Sequence, residues 1–588
     1  MFRSDTKELR KWVDVRRKEL EDARSPYEAL WEDLRRNYEP SIGHALKGDL
    51  DTSRDAASRD DEEIFNSTPR INAHRLSAGL QSGITNQARQ WFRFQAAGQR
   101  LGTNATRSYL DGATEEVQRQ INRSNIYPTL DQIYLRLGVF GQACALLVPD
   151  GTDGVRMILC DEGAYYIADN NKGRVDTLLH RINMSYAQIV DEFGREDTPD
   201  YILDRLDEGG REQRATIYNL VCPVEAIPEG KLKDIPADRE FASLYWVGGV
   251  NSGVPSRSDE LKNSGFVAIR SFTYNPIIAP RWSPRCGSAY GFGPGEEGLG
   301  DARELQQLEL AKMKLVEGES DPPMLAPASM RGDPIDTGPG GITWYNESPQ
   351  STGTTRPVQR LFETRNSIEA VQQAILTCEE RLRQIFLLDL FALMMNLNLA
   401  PKTMTAREVT ELSSEKVALL GPILTRLNND LLNPLVDGIW AVMVFQEQSG
   451  DADFGLLNAP SELMGEEIDA EYVSTLHAEQ QASSRLTGLY RILEFAQGLA
   501  QFDASTTAKL NTFKMLDVAA SSFFELGCVR DDKEAQAIIQ QAQQAQQSEQ
   551  RLQEAQAAEA EAKGIKALAQ APAGNGNVLD MIAGEGYQ

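Results

Sequence analysis

The stretch GLGDARELQQLELAKMKLVEG, residues 298–318, runs almost directly into Asp321-Pro322-Pro323. Leu299, Leu305, Leu308, Met313 and Leu315 give it helical apolar spacing. The paired prolines cannot continue a helix. Residues 321–362 hold seven of the 26 prolines and many glycines, which predicts an irregular segment with short strands near 342–345. A second long helix is expected over 364–391, with Ile368, Val371, Ile375, Cys378, Leu382 and Ile385 on one side. At about 1.5 Å per residue it spans about 40 Å.

Working outward, the chain alternates between helical and mixed regions. Near the N-terminus Leu9, Trp12, Val13 and Leu20 lie near one helical face. After Ser25-Pro26, the residues Tyr27, Leu30, Trp31, Leu34 and Tyr38 repeat with the same period up to Pro40. Residues 47–61 are polar and read as a loop. Residues 68–88 predict a helix with Thr68 as N-cap and Pro69 at its first position. Helices are also expected over 109–124 and 126–140. From about 141 to 281 short β-rich runs replace them: 143–148, 155–159, 164–168, 177–182, 216–221, 243–247 and 266–274.

Past the second long helix, residues 391–404 break the pattern. Thr405-Ala406-Arg407-Glu408 has the form of a capping box. The helix it opens carries Pro422 and Pro434 and should kink or divide. Further helices are expected over 467–500 and 506–526. Residues 531–570 contain eleven glutamines, much alanine and little to bury, and read as a helix packed against copies of itself or as a partly disordered segment. Residues 572–588 read as a loose tail. The fold class is mainly α with an α+β domain.

Composition narrows the function. The 588 residues exceed one core and suggest about three to five domains or layers. No run of about 18 uncharged apolar residues exists, so no membrane span is expected. The net charge of −26 argues against a protein that grips nucleic acid through clustered cations. It is compatible with a duct whose walls repel a polyanion, and equally with plain solubility. The six cysteines (Cys144, Cys160, Cys222, Cys286, Cys378, Cys528) form no CxxC and read as small apolar residues in a reducing compartment. His44, His74, His180 and His477 show no metal spacing. No phosphate loop and no GxSxG is present, so no enzymatic activity, cofactor or metal site is expected.

Two motifs invite over-reading. Gly293-Pro294-Gly295-Glu296-Glu297-Gly298 satisfies GxGxxG, but a proline removes one amide and two glutamates would repel a pyrophosphate. A hinge that starts a helix, with acids at its positive end, fits better. Arg89-Gln90-Trp91-Phe92-Arg93-Phe94 interleaves cations and rings as a nucleic-acid stacking platform does. A strand or a contact between subunits is the plainer reading. Asp60-Asp61-Glu62-Glu63 reads as solvated loop.

Five stretches together resemble the head-to-tail connecting, or portal, proteins of short-tailed bacteriophages. They are Thr68–Phe94 (with AGLQSGIT at 78–85 and ARQWF at 88–92), LGVFG at 137–141, PRW at 280–282 leading to GSAYG at 287–291 and GPG at 293–295, DPP at 321–323, and MTAREV at 404–409 with LGP at 420–422. The resemblance covers about 25–530. It implies a ring subunit with wing, stem, clip and crown layers and a long C-terminal helix. By that plan 1–297 is the wing, 298–320 and 364–391 the two stem helices, and 321–363 the clip. Residues 392–404 would be the tunnel loop, 405–465 inner wing helices, 466–530 crown helices, 531–571 a barrel helix and 572–588 a flexible tail.

The resemblance further implies a homododecamer in the virion, assembled in the host cytoplasm. It would conduct double-stranded DNA and meet a terminase motor, a tail adaptor, capsid and scaffold proteins. Met394, Asn396, Asn398 and Lys402 would then face the channel, and Arg331, Trp344, Tyr345 and Arg356 would dock partners at the clip. Lys402 would be a cation touching passing phosphates, or simply a solvated lysine. Physically, two helices around an exposed excursion make a poor monomer and a good ring element, because neighbours cover the second faces. A scaffold or internal head protein without a channel is the alternative, and a motor subunit or nuclease a remoter one.

Overall fold

A computed structural model describes residues 6–43, 64–96, 104–151, 154–228, 236, 239–248, 266–320, 324–325, 359–360, 368–388, 420–450, 452–463, 468–473, 551, 555–564, 566, 572–573 and 576–577. Residues 1–480 and 481–588 form separate compact units.

In the first unit, α1 (Thr6–Tyr38) is one helix that contains Pro26. Next come α2 (Thr68–Ile84), β1 (Phe92–Ala96), α3 (Asn104–Arg123) and α4 (Ile126–Phe140). The expected N-cap role of Thr68 is not found. Thr68 is the first helical residue, and Asn66 Oδ1 accepts its amide at 2.8 Å. Strands β2 (Ala145–Asp150), β3 (Gly154–Leu159), β4 (Tyr165–Asp169) and β5 (Val175–Ser185) follow close to the predicted runs. Two short helices, α5 (Tyr186–Phe193) and α6 (Asp200–Asp207), were not anticipated. Ser185 and Gln188 build a capping box at the first of them.

Strands β6 (Arg214–Pro223), β7 (Phe241–Val247) and β8 (Phe266–Phe272) complete a five-stranded antiparallel sheet in the order β4-β5-β6-β7-β8. Alternation sorts its two faces. Leu220, Cys222, Leu244 and Trp246 pack on Leu9, Val13 and Leu20 of α1. Ile217, Tyr245 and Val247 pack on Tyr186, Ile189 and Ile202. Arg10, Arg17 and Arg24 are spaced by whole heptads along α1 and lie over the rings of Trp246, Tyr218 and Tyr166 in turn. Each pair sets a cation on the electron-rich face of a ring.

The larger core joins the C-terminal half of α1, α2, α3 and α4 to a three-stranded sheet, β3-β2-β9, with β9 at Ile277–Ile278. A hairpin of β10 (Ser283–Pro284) and β11 (Gly291–Phe292) leads into α7 (Pro294–Glu297) and α8 (Leu299–Ser320). Strands β12 (Met324–Leu325) and β13 (Gln359–Arg360) pair with each other, and α9 (Ile368–Ile385) follows.

The helix expected to kink at its prolines is described from residue 420, passes through a π-helical turn at Asn428–Leu432, and becomes α10 (Asn433–Ser449). Pro434 cannot supply the amide of a regular turn, and the π turn absorbs the mismatch. Beyond it the expected helix from 467 is corrected at its start. Ile468–Tyr472 is a strand, β14, antiparallel to β1. Its alternation sets Tyr472 opposite Phe92, Ala470 opposite Phe94 and Ile468 opposite Ala96.

In the second unit residues 555–564 are helical, within the expected barrel helix. The tail expected to be loose holds a small ladder, β15 (Pro572–Ala573) with β16 (Gly576–Asn577). The capping box at 405–408 and the helices expected over 474–526 lie outside the described residues.

Candidate functional site

The two long helices α8 and α9 pack against each other, and their packing changes along their length. Near the body, Leu299, Ala302 and Leu305 of α8 and Ile375, Cys378, Leu382 and Phe386 in and after α9 are buried. Past Leu308 on α8 and before Ile375 on α9 no residue with a described side chain is buried. There Met313 (48% exposed), Val316 (46%), Ile368 (38%) and Leu376 (49%, just past Ile375) leave apolar surface uncovered. Four half-bare apolar side chains on these two packed helices leave apolar area for a partner to cover.

The root of this hairpin is fixed by a polar clamp. Asn66 donates from Nδ2 to Glu309 (3.2 Å) and to Glu379 (3.1 Å), one acid from each helix. Gln306 Oε1 accepts the amides of Phe65 and Asn66, and its Nε2 donates to the Asn66 carbonyl. Thr68 Oγ donates to Glu379 at 3.2 Å. Across the helices Arg381 pairs with Asp301 (3.0 Å) and Glu304 (3.4 Å) and reaches Cys378 Sγ at 3.2 Å. Asp301, Glu304 and Cys378 are the one group of three potential metal ligands among the described residues, and the Arg381 guanidinium already contacts all three.

Beside the clamp, Glu39 is buried at the end of α1 and accepts from Arg70 (2.8 Å), His74 (2.8 Å) and Ser41. Burial opposes its ionisation, but the hydrogen bonds of His74 and Ser41 and the Arg70 charge prevail and hold its carboxyl at about 2.

The glycine-rich motif before α8 is a packing seam. A Cβ on Gly295 would lie 2.1 Å from the Val139 carbonyl oxygen, and one on Gly293 would lie 2.6 Å from Gly141 Cα. Gly141 has φ of +77°, and a Cβ there would meet the Phe292 carbonyl carbon at 2.2 Å. Only glycine suits both that backbone conformation and that space. The close backbone approach that such glycines permit is made to the end of α4. That contact sets where α8 leaves the body.

The ring-and-cation run at 89–94 is internal as well. Trp91, Phe92 and Phe94 are buried, and Trp91 donates to the Tyr127 hydroxyl at 3.1 Å. Arg93 pairs with Asp111 at 2.8 Å. The strand reading of this segment holds, and its rings are not open for stacking on bases. The channel candidates Met394, Asn396, Asn398 and Lys402 and the clip candidates Arg331, Trp344, Tyr345 and Arg356 lie outside the described residues. The sequence marks Met313 as part of an apolar stripe and does not mark Leu376, and apolar periodicity alone does not separate a covered turn from a bare one.

Residues 10–523 match the model of the bacteriophage head to tail connecting protein family, and the chain belongs to that family. It is similar to the portal protein of Salmonella phage epsilon15, at 28% identity over 513 residues that cover 87% of this chain and 86% of that one. It is also similar to the probable portal protein of Bordetella phage BPP-1, at 29% identity over 465 residues covering 79% and 78%. Among solved structures, a chain from the neck of an empty gene transfer agent particle is 11% identical, with a TM-score of 0.32, covering 77% of this chain and 93% of that one. No helix among the described residues is long and apolar enough to cross a membrane.

Proposed function

We propose that the chain is a portal subunit whose copies close into a ring, twelve in number, at one capsid vertex. Double-stranded DNA passes through the ring when the particle is filled and when it is emptied. Helices α8 and α9 are the stem, and residues 321–363 between them are the clip, which offers Arg331, Trp344, Tyr345 and Arg356 to a terminase motor and later to a tail adaptor. Residues 392–404 are the tunnel loop, with Met394, Asn396, Asn398 and Lys402 toward the DNA. The wing is 1–297, the inner wing 405–465, the crown 466–530 and the barrel helix 531–571.

The ring sits among capsid and scaffold proteins, is assembled in the host cytoplasm, and catalyses nothing. Its acidic charge keeps the polyanion sliding, because the counterion release that drives tight DNA binding needs clustered cations.

The observation that carries this reading is the α8–α9 hairpin with its uncovered apolar side chains. Half-covered Met, Val, Ile and Leu each gain about 1 kcal/mol on burial, roughly half the value of a full side chain. A neighbour supplies that burial at every contact around a ring. The family relationship supplies the biological role. Native mass spectrometry tests the assembly. The wild-type chain should give closed oligomers, and the double variant Met313→Asp with Leu376→Asp should give folded monomers. A wild-type chain that stays monomeric at micromolar concentration would refute the proposal. Measurable ATP turnover by the purified chain with DNA would refute the non-enzymatic part alone.

A further inference from the structure

Two buried thiols face each other at the end of the small sheet. In the β2–β3 ladder Ala145 is opposite Leu159, so the next pair outward is Cys144 opposite Cys160. The Cys160 amide donates to the Cys144 carbonyl at 2.9 Å. Directly opposed residues of an antiparallel pair send their side chains to one face, with Cα atoms about 4.5–5.5 Å apart. That separation lies inside the roughly 4.4–6.8 Å that a disulfide spans. Both side chains are fully buried, both thiols are free, and they are hydrogen-bonded to each other. We propose that Cys144 and Cys160 are a modification site, a thiol pair that closes into an intrachain disulfide on exposure to a hydroperoxide and clasps the start of β2 to the end of β3.

The surroundings assign unlike roles to the two thiols. His180 of β5 lies against Cys160, and its buried Nδ1 has no hydrogen-bond partner. Arg136 of α4, itself paired with Glu162 at 2.8 Å, adds positive charge near Cys160, while Glu162 and Tyr165 act on Cys144. Burial resists ionisation of either sulfur. The hydrogen bond from Cys144 and the His180 and Arg136 contacts direct the charge to Cys160, which is pulled down, while Cys144 is pushed up.

Cys160 is therefore the attacking thiolate. Its sulfur takes one oxygen of the hydroperoxide, the O–O bond breaks, and the other oxygen leaves with a proton as water or alcohol. The sulfenic acid so formed is attacked by the Cys144 sulfur. The S–S bond forms, and the sulfenic oxygen departs as water with the Cys144 proton. Two thiols lose two electrons and two protons, and the peroxide is reduced. Hydrogen peroxide is close to water in size, and because both thiols are fully buried it reaches them through local opening of the ladder.

The test is peptide mass spectrometry of the full chain after graded hydrogen peroxide, with alkylation in denaturant. The expected result is a peptide pair cross-linked through Cys144 and Cys160, reversed by a thiol reductant, with two of the six thiols lost to alkylation together. Exposed Cys286 gives an internal measure of the oxidant dose. A Cys286→Ser variant should retain the cross-link, and Cys160→Ser should abolish it. Complete oxidation of Cys286 with Cys144 and Cys160 both still alkylated would overturn the proposal. So would a disulfide from either of them to any other cysteine.

Discussion

Replacing Gly295 by Ala is a one-carbon change that the seam before α8 should not accept. The added Cβ would stand 2.1 Å from the Val139 carbonyl oxygen and 2.9 Å from two further backbone atoms of Val139, where ordinary contact is 3.4–4 Å. The obstacle is backbone at the end of a buried helix, so no rotamer change relieves it. Either α4 or the start of α8 must move by about an ångström inside a close-packed core. Overpacking a core costs about 1–3 kcal/mol, and with rigid backbone on both sides the cost belongs at or above the upper end. Gly112→Ala is the matched control. Gly112 is exposed within α3, and a Cβ there meets nothing within 4 Å. In that open helical position the same change should stabilise by about 0.5–1 kcal/mol. Urea unfolding of both variants beside the wild type reads the difference. Equal stability of G295A and wild type would show that the glycines are not a packing seam, and would reopen the motif to other uses.

Other contacts in the body make three more outcomes testable. Arg24→Met should cost more in urea unfolding than Arg17→Met, because both lose a ring contact but Arg24 also donates to the carbonyls of Gly163 and Tyr165. The two buried carbonyls left without a donor add to the loss, and equal losses would contradict that ranking. Because the folded-state carboxyl of Glu39 is depressed, its stabilising contribution is complete above the ordinary carboxylate range and fades as pH falls from about 4.5 toward about 2. Glu39→Gln should flatten the stability profile across that window, and an unchanged profile would remove Glu39 from the account. Asn66→Ala should loosen the hairpin root, raising hydrogen exchange in α8 and α9 while leaving the five-stranded sheet protected; uniform protection would argue against the clamp.

Legibility in the sequence followed the physics of each element. Strands β2 to β8 were readable because runs such as Thr216–Val221 are β-branched and bounded by turn residues. Helices α5 and α6 have only eight residues each, too few for a periodic pattern, although Ser185 and Gln188 already spelled a cap. Strand β14 was misread because Ile-Asp-Ala-Glu-Tyr lies among strong helix formers and its partner β1 is far upstream. The heptad spacing of Arg10, Arg17 and Arg24 was visible, but not the three rings beneath. The hairpin was legible as two long helices with a Pro/Gly-rich excursion. Which turns the body would cover was not, since Met313 and Leu308 carry the same apolar signal and differ only in what stands beside them.

The proposed role requires copies of the chain to close around a hole. Single-particle imaging of the purified full chain measures this most directly. The prediction is face-on class averages of closed rings with a central channel open enough to pass a DNA duplex, and side views with α8–α9 hairpins packed on their neighbours. Uniform monomers, or open filaments with no channel, would contradict it.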